Sequence, residues 1–289
     1  MGRFKTKLLF FVALTVGVSM VAGAQDFVKM NMFGGSLVVD GAPPIDAVSP
    51  HAHTQPALVT TVSLPRMAPE LALEQYVWRA TRQWAELGEY SAVSTVRAVL
   101  PDLAESGEFD VERHYTAPKT LQFKPVRFTG DGFVKTNVIV RLLQSEVDQI
   151  QKDQPAQTAI ANQNYKFSYK GTEEINGRLA HVYQVKPRRK SPGLFKGLIF
   201  IDPFTGGIAR AQGRLVKSPS IFIKNIDFVQ DYADFGSFTF PVHMHSEAKA
   251  RLVGRVIVDI FHRDYRPVSA AEGQSARMSG ASTIATASN

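Results

Sequence analysis

The sequence predicts a mainly β, α+β fold: one strongly curved antiparallel sheet wrapped around one or two helices. Three observations predict it. Two windows carry an apolar stripe at helical spacing, while most of the remaining chain alternates apolar and polar residues with the period of two that suits a strand. The strand-length segments are joined by short turns, as antiparallel hairpins require, and not by the long crossovers of parallel sheets. The order of the elements is helix, strands, helix and then a run of hairpins, and one strongly curved sheet wrapped around the helices buries both stripes.

The first helix is predicted over Pro69–Leu87. Pro69 suits a first helical turn and Glu70 favours the same end. Leu73, Tyr76, Val77, Ala80, Trp84 and Leu87 form the stripe, and Gly88 is a stop signal. Strands follow at Tyr90–Leu100, Glu108–Tyr115 and around Leu121, Phe123 and Val126–Phe128, ending at the turn Thr129-Gly130-Asp131-Gly132. A second helix is predicted over Thr136–Lys152, with Ile139, Leu142, Leu143, Val147 and Ile150 on one face. Tyr165, Phe167 and Tyr169 alternate as a strand, and Asn176-Gly177 is a strong two-residue hairpin signal before Arg178–Lys186. Gly197–Asp202 and Ile208–Val216 pair across a Pro-Phe-Thr-Gly-Gly turn. Ile221–Tyr232 continues the meander, and Phe238–Leu252 with Arg255–Tyr265 forms a last long hairpin around Gly254.

Residues 1–24 read as a cleavable signal peptide. Arg3, Lys5 and Lys7 precede an apolar run from Leu8 to about Ala22, and Ala22-Gly23-Ala24 supplies the small residues of a cleavage site before Gln25. Residues 25–68, broken by Pro43-Pro44 and Pro50, are expected to be a poorly ordered lead. Residues 69–267 form the sheet domain, and 268–289, rich in Ala and Ser, a disordered tail. No later segment is long and apolar enough to span a membrane as a helix. The expected location is the periplasm, or outside the cell where there is no outer membrane.

Cysteine is absent, which excludes disulfides, thiolate catalysis and Cys-type zinc sites. Of 33 basic and 26 acidic side chains, three basic ones lie in the leader, so the remainder balances at +4. That mild excess argues against a nucleic-acid partner.

An ordered set of segments carries a resemblance. Ile175-Asn176-Gly177-Arg178 leads into a strand ending at Lys186-Pro187. Phe200-Ile201-Asp202-Pro203-Phe204-Thr205-Gly206-Gly207-Ile208-Ala209-Arg210 makes a hairpin. Lys224–Tyr232, Phe238-Thr239-Phe240-Pro241 and a closing strand Val258–Tyr265 follow. In this order the stretch from Tyr169 to Tyr265 resembles the LolA-like family of outer-membrane lipoprotein-sorting proteins, and the leader and first helix also fit. The resemblance implies that the curved antiparallel sheet forms an incomplete β-barrel, a half-barrel closed by one or two helices over an apolar cavity that holds lipoprotein acyl chains or other lipids. It also implies a second possibility, since a relative of the same fold senses envelope stress. The long lead and the low-complexity tail depart from the family pattern, and no ligand-contacting residue of the family maps onto this chain.

The expected function is therefore a carrier or chaperone that binds lipid or lipoprotein acyl chains, with envelope membrane proteins as further partners. A sensor or scaffold of the same fold is the alternative, and a metal-dependent or hydrolytic envelope enzyme the second. Candidate cavity residues are Trp84, Phe200, Phe222, Phe228, Phe238 and Phe240. His243 and His245 share a strand face, and His51 and His53 have the same spacing in a loop, but nothing in the sequence ties the pairs together. No catalytic residue, metal ligand or cofactor is expected. Arg188-Arg189-Lys190 with Leu194-Phe195 reads either as a tip for anionic headgroups or, more simply, as a solvated loop before a buried strand.

Overall fold

The structure, a computed structural model, describes residues 65–152, 155–218 and 223–272. The leader, His51, His53, Phe222, the lead before residue 65 and the tail from residue 273 lie outside the described residues.

Ten strands form one antiparallel sheet: β1 Leu87–Leu100, β2 Glu105–Thr116, β3 Thr120–Gly130, β4 Tyr165–Ile175, β5 Arg178–Pro187, β6 Phe195–Ile201, β7 Ile208–Leu215, β8 Ile223–Phe235, β9 Phe238–Ala250 and β10 Gly254–Ser269. Their order is β3-β2-β1-β10-β9-β8-β7-β6-β5-β4. The sheet does not close, because β3 and β4 are its two ends. β3 carries Pro125, which cannot donate to a ladder and is tolerated at an edge. One core cluster contains Val111 of β2, Tyr165 of β4 and residues of every strand between them in the sheet. Strands from both ends of the sheet can share one core only if the sheet curves around it.

Helix α1, Pro69–Glu86, starts with proline at its first position and gives way directly to the extended backbone of Leu87. Ala72, Tyr76 and Gln83 are buried, with Leu73, Val77, Ala80 and Trp84 half-buried beside them. The segment just ahead of it is tied down: the Met67 amide donates to the Pro203 carbonyl at 2.8 Å, and the Met67 carbonyl lies 2.9 Å from His181 Nε2.

The second helical segment differs from the single helix expected over 136–152. It comprises a turn of α2, Gly132–Val134, a π-helical turn Lys135–Ile139, and α3, Val140–Gln151; a short α4, Pro155–Thr158, follows. The wide turn rotates the helix so that Val134, Val138, Ile139, Leu142, Leu143 and Glu146 all turn inward, while Val147 and Ile150 are only half-buried. This segment connects β3 to β4, the opposite ends of the sheet, and its apolar side chains belong to the same core cluster as the strands.

Two irregularities decide which side chains face that core. Asn225 has φ 50°, and the β8–β9 register slips between Lys224 and Asp227. The bulge changes the phase, so Ile223, Ile226 and Phe228 are all buried despite their uneven spacing. A second slip between Asp231 and Tyr232 accommodates Pro241 within β9.

Candidate functional site

The C-terminal half of α1 meets the sheet over an aromatic cluster. Leu87, Ala92, Tyr115, Leu121, Phe238, Phe240 and Tyr265 are buried there, with Trp84, Tyr90 and Phe235 packed against them. Phe240 stacks on Tyr265 at 4.5 Å, Tyr90 lies 5.1 Å from Phe240 and 5.3 Å from Tyr115, and Trp84 meets Tyr115 edge-on at 5.9 Å. The polar ends of two tyrosines are satisfied by backbone: Tyr265 donates to Pro241 and Tyr115 to Pro118, both at 3.0 Å. The Trp84 indole N–H, by contrast, is buried without an acceptor. Gln83, one residue before it, fixes the helix to β9. Its amide donates to the Thr239 carbonyl at 3.0 Å and accepts from the Thr239 N–H at 2.8 Å.

An ion pair lies beside this cluster. Alternation along β2 turns Phe109, Val111, Arg113 and Tyr115 inward together. Arg113 Nη1 sits 2.9 Å from Glu146 Oε2 on α3, with side chains 8% and 2% exposed. Arg113 Nε donates to Tyr90 Oη at 3.0 Å, and its guanidinium lies over the Phe123 ring at 5.4 Å. Burial works against the Arg113 charge, but Glu146 and Tyr90 outweigh it and raise its pKa, so the arginine stays charged. Burial raises the Glu146 carboxyl, with Arg113 pulling it back. On the same inner face Ser94 Oγ lies 2.8 Å from His262 Nδ1, and burial, with Arg113 and His243 nearby, holds this imidazole well below its ordinary pKa. A serine beside a histidine has the makings of a nucleophile and base. Here Ser94 is fully buried, and the same burial opposes the protonation that a base must undergo. The pair is a structural hydrogen bond.

The structure brings Trp84, Phe238 and Phe240 together in the aromatic cluster. Phe228 lies in the larger core, 5.0 Å from Phe195. Phe200 faces away from Ile199 and Ile201 and packs with Ala180 and Val182 in a separate cluster. His243 and His245 share Asp259: His245 Nδ1 is 2.8 Å and His243 Nε2 is 3.4 Å from its Oδ1. Among the described residues no group of three or more such side chains is arranged to hold a metal ion. Leu194 and Phe195, beside the basic loop, are fully buried and cannot serve as an exposed apolar tip. Outside α1 a groove of about 520 Å³ is bounded by polar and charged groups, among them Arg79, Arg82, Thr205 and Asp234, with Trp78 beside them.

Arg113 and Glu146 were not among the expected site residues, yet both left a signal. Each is a charge at an apolar phase of its element: Arg113 two residues from Val111 and Tyr115, Glu146 three and four beyond Leu143 and Leu142.

A family model described as a family of unknown function (DUF5686) matches residues 157–266, from just before β4 into β10. No curated protein matches the chain in sequence. Its structural neighbours include LolA-superfamily proteins. A LolA superfamily protein from Nitrosomonas europaea is 11% identical, with a TM-score of 0.34, covering 68% of this chain and 92% of the neighbour. A DUF1329 family protein from Desulfovibrio piger gives 11% and 0.36, with the same coverages of 68% and 92%. A domain described as that of an outer membrane lipoprotein-sorting protein from Vibrio parahaemolyticus gives 12% and 0.32, again covering 68% and 92%. Identities and scores this low carry no weight on activity.

Proposed function

We propose that this chain is an exported, periplasmic carrier or chaperone that binds lipid or lipoprotein acyl chains between the inner face of its open sheet and the helices, in the sorting of outer-membrane lipoproteins. The observation that carries this reading is the unpaired Trp84 indole N–H inside an aromatic cluster next to Arg113. A buried donor without a partner costs about 1–3 kcal/mol. A ligand with a long apolar body and an ester or amide carbonyl supplies both the missing acceptor and apolar surface for the rings. Each buried methylene contributes about 0.8 kcal/mol, so a chain of about sixteen carbons binds in the micromolar range after an association cost of about 4 kcal/mol.

The test is native mass spectrometry of the purified protein, with displacement of a fluorescent fatty acyl ester from delipidated material. Trp84→Phe keeps an aromatic ring and removes the donor. It is expected to weaken acyl-ester binding about fivefold to tenfold while leaving the denaturant midpoint nearly unchanged, because relief of the unpaired donor offsets the packing lost with the smaller ring. If no lipid co-purifies and no displacement appears up to near-millimolar ligand, the carrier reading fails.

A second reading, an envelope sensor or scaffold, is supported by the two end strands. Val126 on β3 and Tyr169 on β4 are exposed, and each strand offers an edge to which a partner strand can add. Crosslinks to a specific partner through position 126 or 169, from protein that carries no lipid, would favour it.

A further inference from the structure

We propose that the end of the sheet carrying the β1–β2, β5–β6 and β9–β10 turns docks on an anionic phospholipid bilayer. In a meander, alternate turns fall at the same end, and β1 joins them because Val99 pairs with Ile257 near the start of β10. The β5–β6 turn presents Arg188, Arg189 and Lys190, all exposed. The first two donate to the Asn162 and Gln157 carbonyls, and among the described residues none of the three is paired with a carboxylate. Lys217 beyond β7 and Arg251 in the β9–β10 turn are likewise exposed and unpaired among the described residues. Carboxylate-paired cations occur towards the opposite end, where Arg178 and Arg210 each hold an aspartate, and also at this end, where Arg214 holds Asp227 and Arg255 holds Glu247.

The strand register at this end adds a second observation. Lys224 lies directly opposite Lys249, and Lys249 directly opposite Arg255. On the far side Lys166 lies opposite Lys186. Like charges directly across a ladder are destabilising. Among the described residues, Arg255 alone in the first row has a counter-charge, Glu247 at 2.8 Å. A polyanionic surface outside the protein relieves the repulsion that the register builds in.

The third observation distinguishes a bilayer from a soluble polyanion. Leu252 and Leu103 project from this end at 60% and 44% exposure. They are held on adjacent turns, because Asp102 accepts from the Arg255 amide at 3.2 Å. Cations flanking exposed leucines suit a lipid surface, where the charges meet headgroups and the leucines enter the acyl boundary. The proposal does not rest on the acyl-chain reading, and Trp84→Phe is expected to leave docking unchanged.

The experiment is co-flotation with vesicles of phosphatidylcholine, with and without phosphatidylglycerol. Parent and variants are compared in the same form, so that the leader contributes equally. The parent is expected to float only with the phosphatidylglycerol vesicles, and less so as salt rises. Lys249→Gln is expected to weaken binding about fivefold while leaving thermal stability equal or higher, an outcome that a purely structural lysine would not give. Arg188→Glu/Arg189→Glu/Lys190→Glu is expected to abolish flotation. Leu252→Ser, at an exposed turn, is expected to cost up to about tenfold without changing the salt dependence. Equal flotation with uncharged vesicles, or unchanged binding of Lys249→Gln, overturns the proposal. Binding that needs the cations but survives Leu252→Ser points to a soluble polyanion and overturns it as well.

Discussion

Arg113 and Glu146 are the side chains whose removal has the clearest consequence. A charge taken out of water is tolerable when its partner is in contact, and costly when the partner is deleted. Glu146→Ala is therefore expected to destabilise the protein by about 3–5 kcal/mol in denaturant unfolding. Arg113→Met combined with Glu146→Leu is expected to recover most of that loss, because two apolar groups of similar size leave nothing unpaired. His262 gives a pH signature. Its folded pKa is depressed, so the unfolded chain binds the proton first. The contribution is fully present above the ordinary histidine value of ~6.5 and is lost as pH falls from there towards the folded value. In thermal melts across pH 7 to 5, His262→Gln should lose less stability than the parent; an identical slope would show that another group titrates. The phases of Arg113 and Glu146 were legible in the sequence, but not their meeting. That depends on the π-helical turn at Lys135–Ile139, which sets the rotation of α3 and is not encoded by any single residue pattern.

At the scale of elements, α1 is held by a polar clamp as much as by its stripe. Gln83 satisfies both the N–H and the C=O of Thr239 from a buried position. Gln83→Leu strands both groups and is expected to cost about 1–3 kcal/mol, read as a shift in denaturant midpoint at unchanged slope. A change under half a kcal/mol would mean that water replaces the amide. The stripe itself was readable from spacing, as was the β4–β5 hairpin: Asn176 and Gly177 have φ 51° and 75°, the left-handed pair that a two-residue turn demands. The inward turn of Ile223 beside Ile226 and Phe228 was not, because the bulge at Asn225 shifts the phase by one residue, and a residue in left-handed conformation inside a strand leaves only a faint trace in composition.

For the whole molecule, the meander from β4 to β10 follows from short turns alone. The placement of β1 against β10 does not, since no local signal says which strands separated by most of the chain become neighbours. The same gap explains the scatter of the candidate site. Trp84, Phe238 and Phe240 converge because α1 and β9 meet, whereas Phe200 sits on the opposite side of β6, a distinction that depends on which face of the curved sheet becomes concave. The aromatic content announced apolar packing; its division into clusters required the topology.

The β1–β10 ladder also governs when this protein can become itself. The ten described strands are in fact two meanders, β1 to β3 and β4 to β10, whose only ladder to one another among the described residues is that seam. A chain threading out of a ribosome or a translocation pore delivers β1 before the other strands and β10 after them. Until β10 arrives, β1 and β9 each present an open edge, with nothing native to pair. On this topology the β1–β10 ladder forms only after β10 has emerged, and a factor that shields those two edges until then guards the ladder that joins the two meanders.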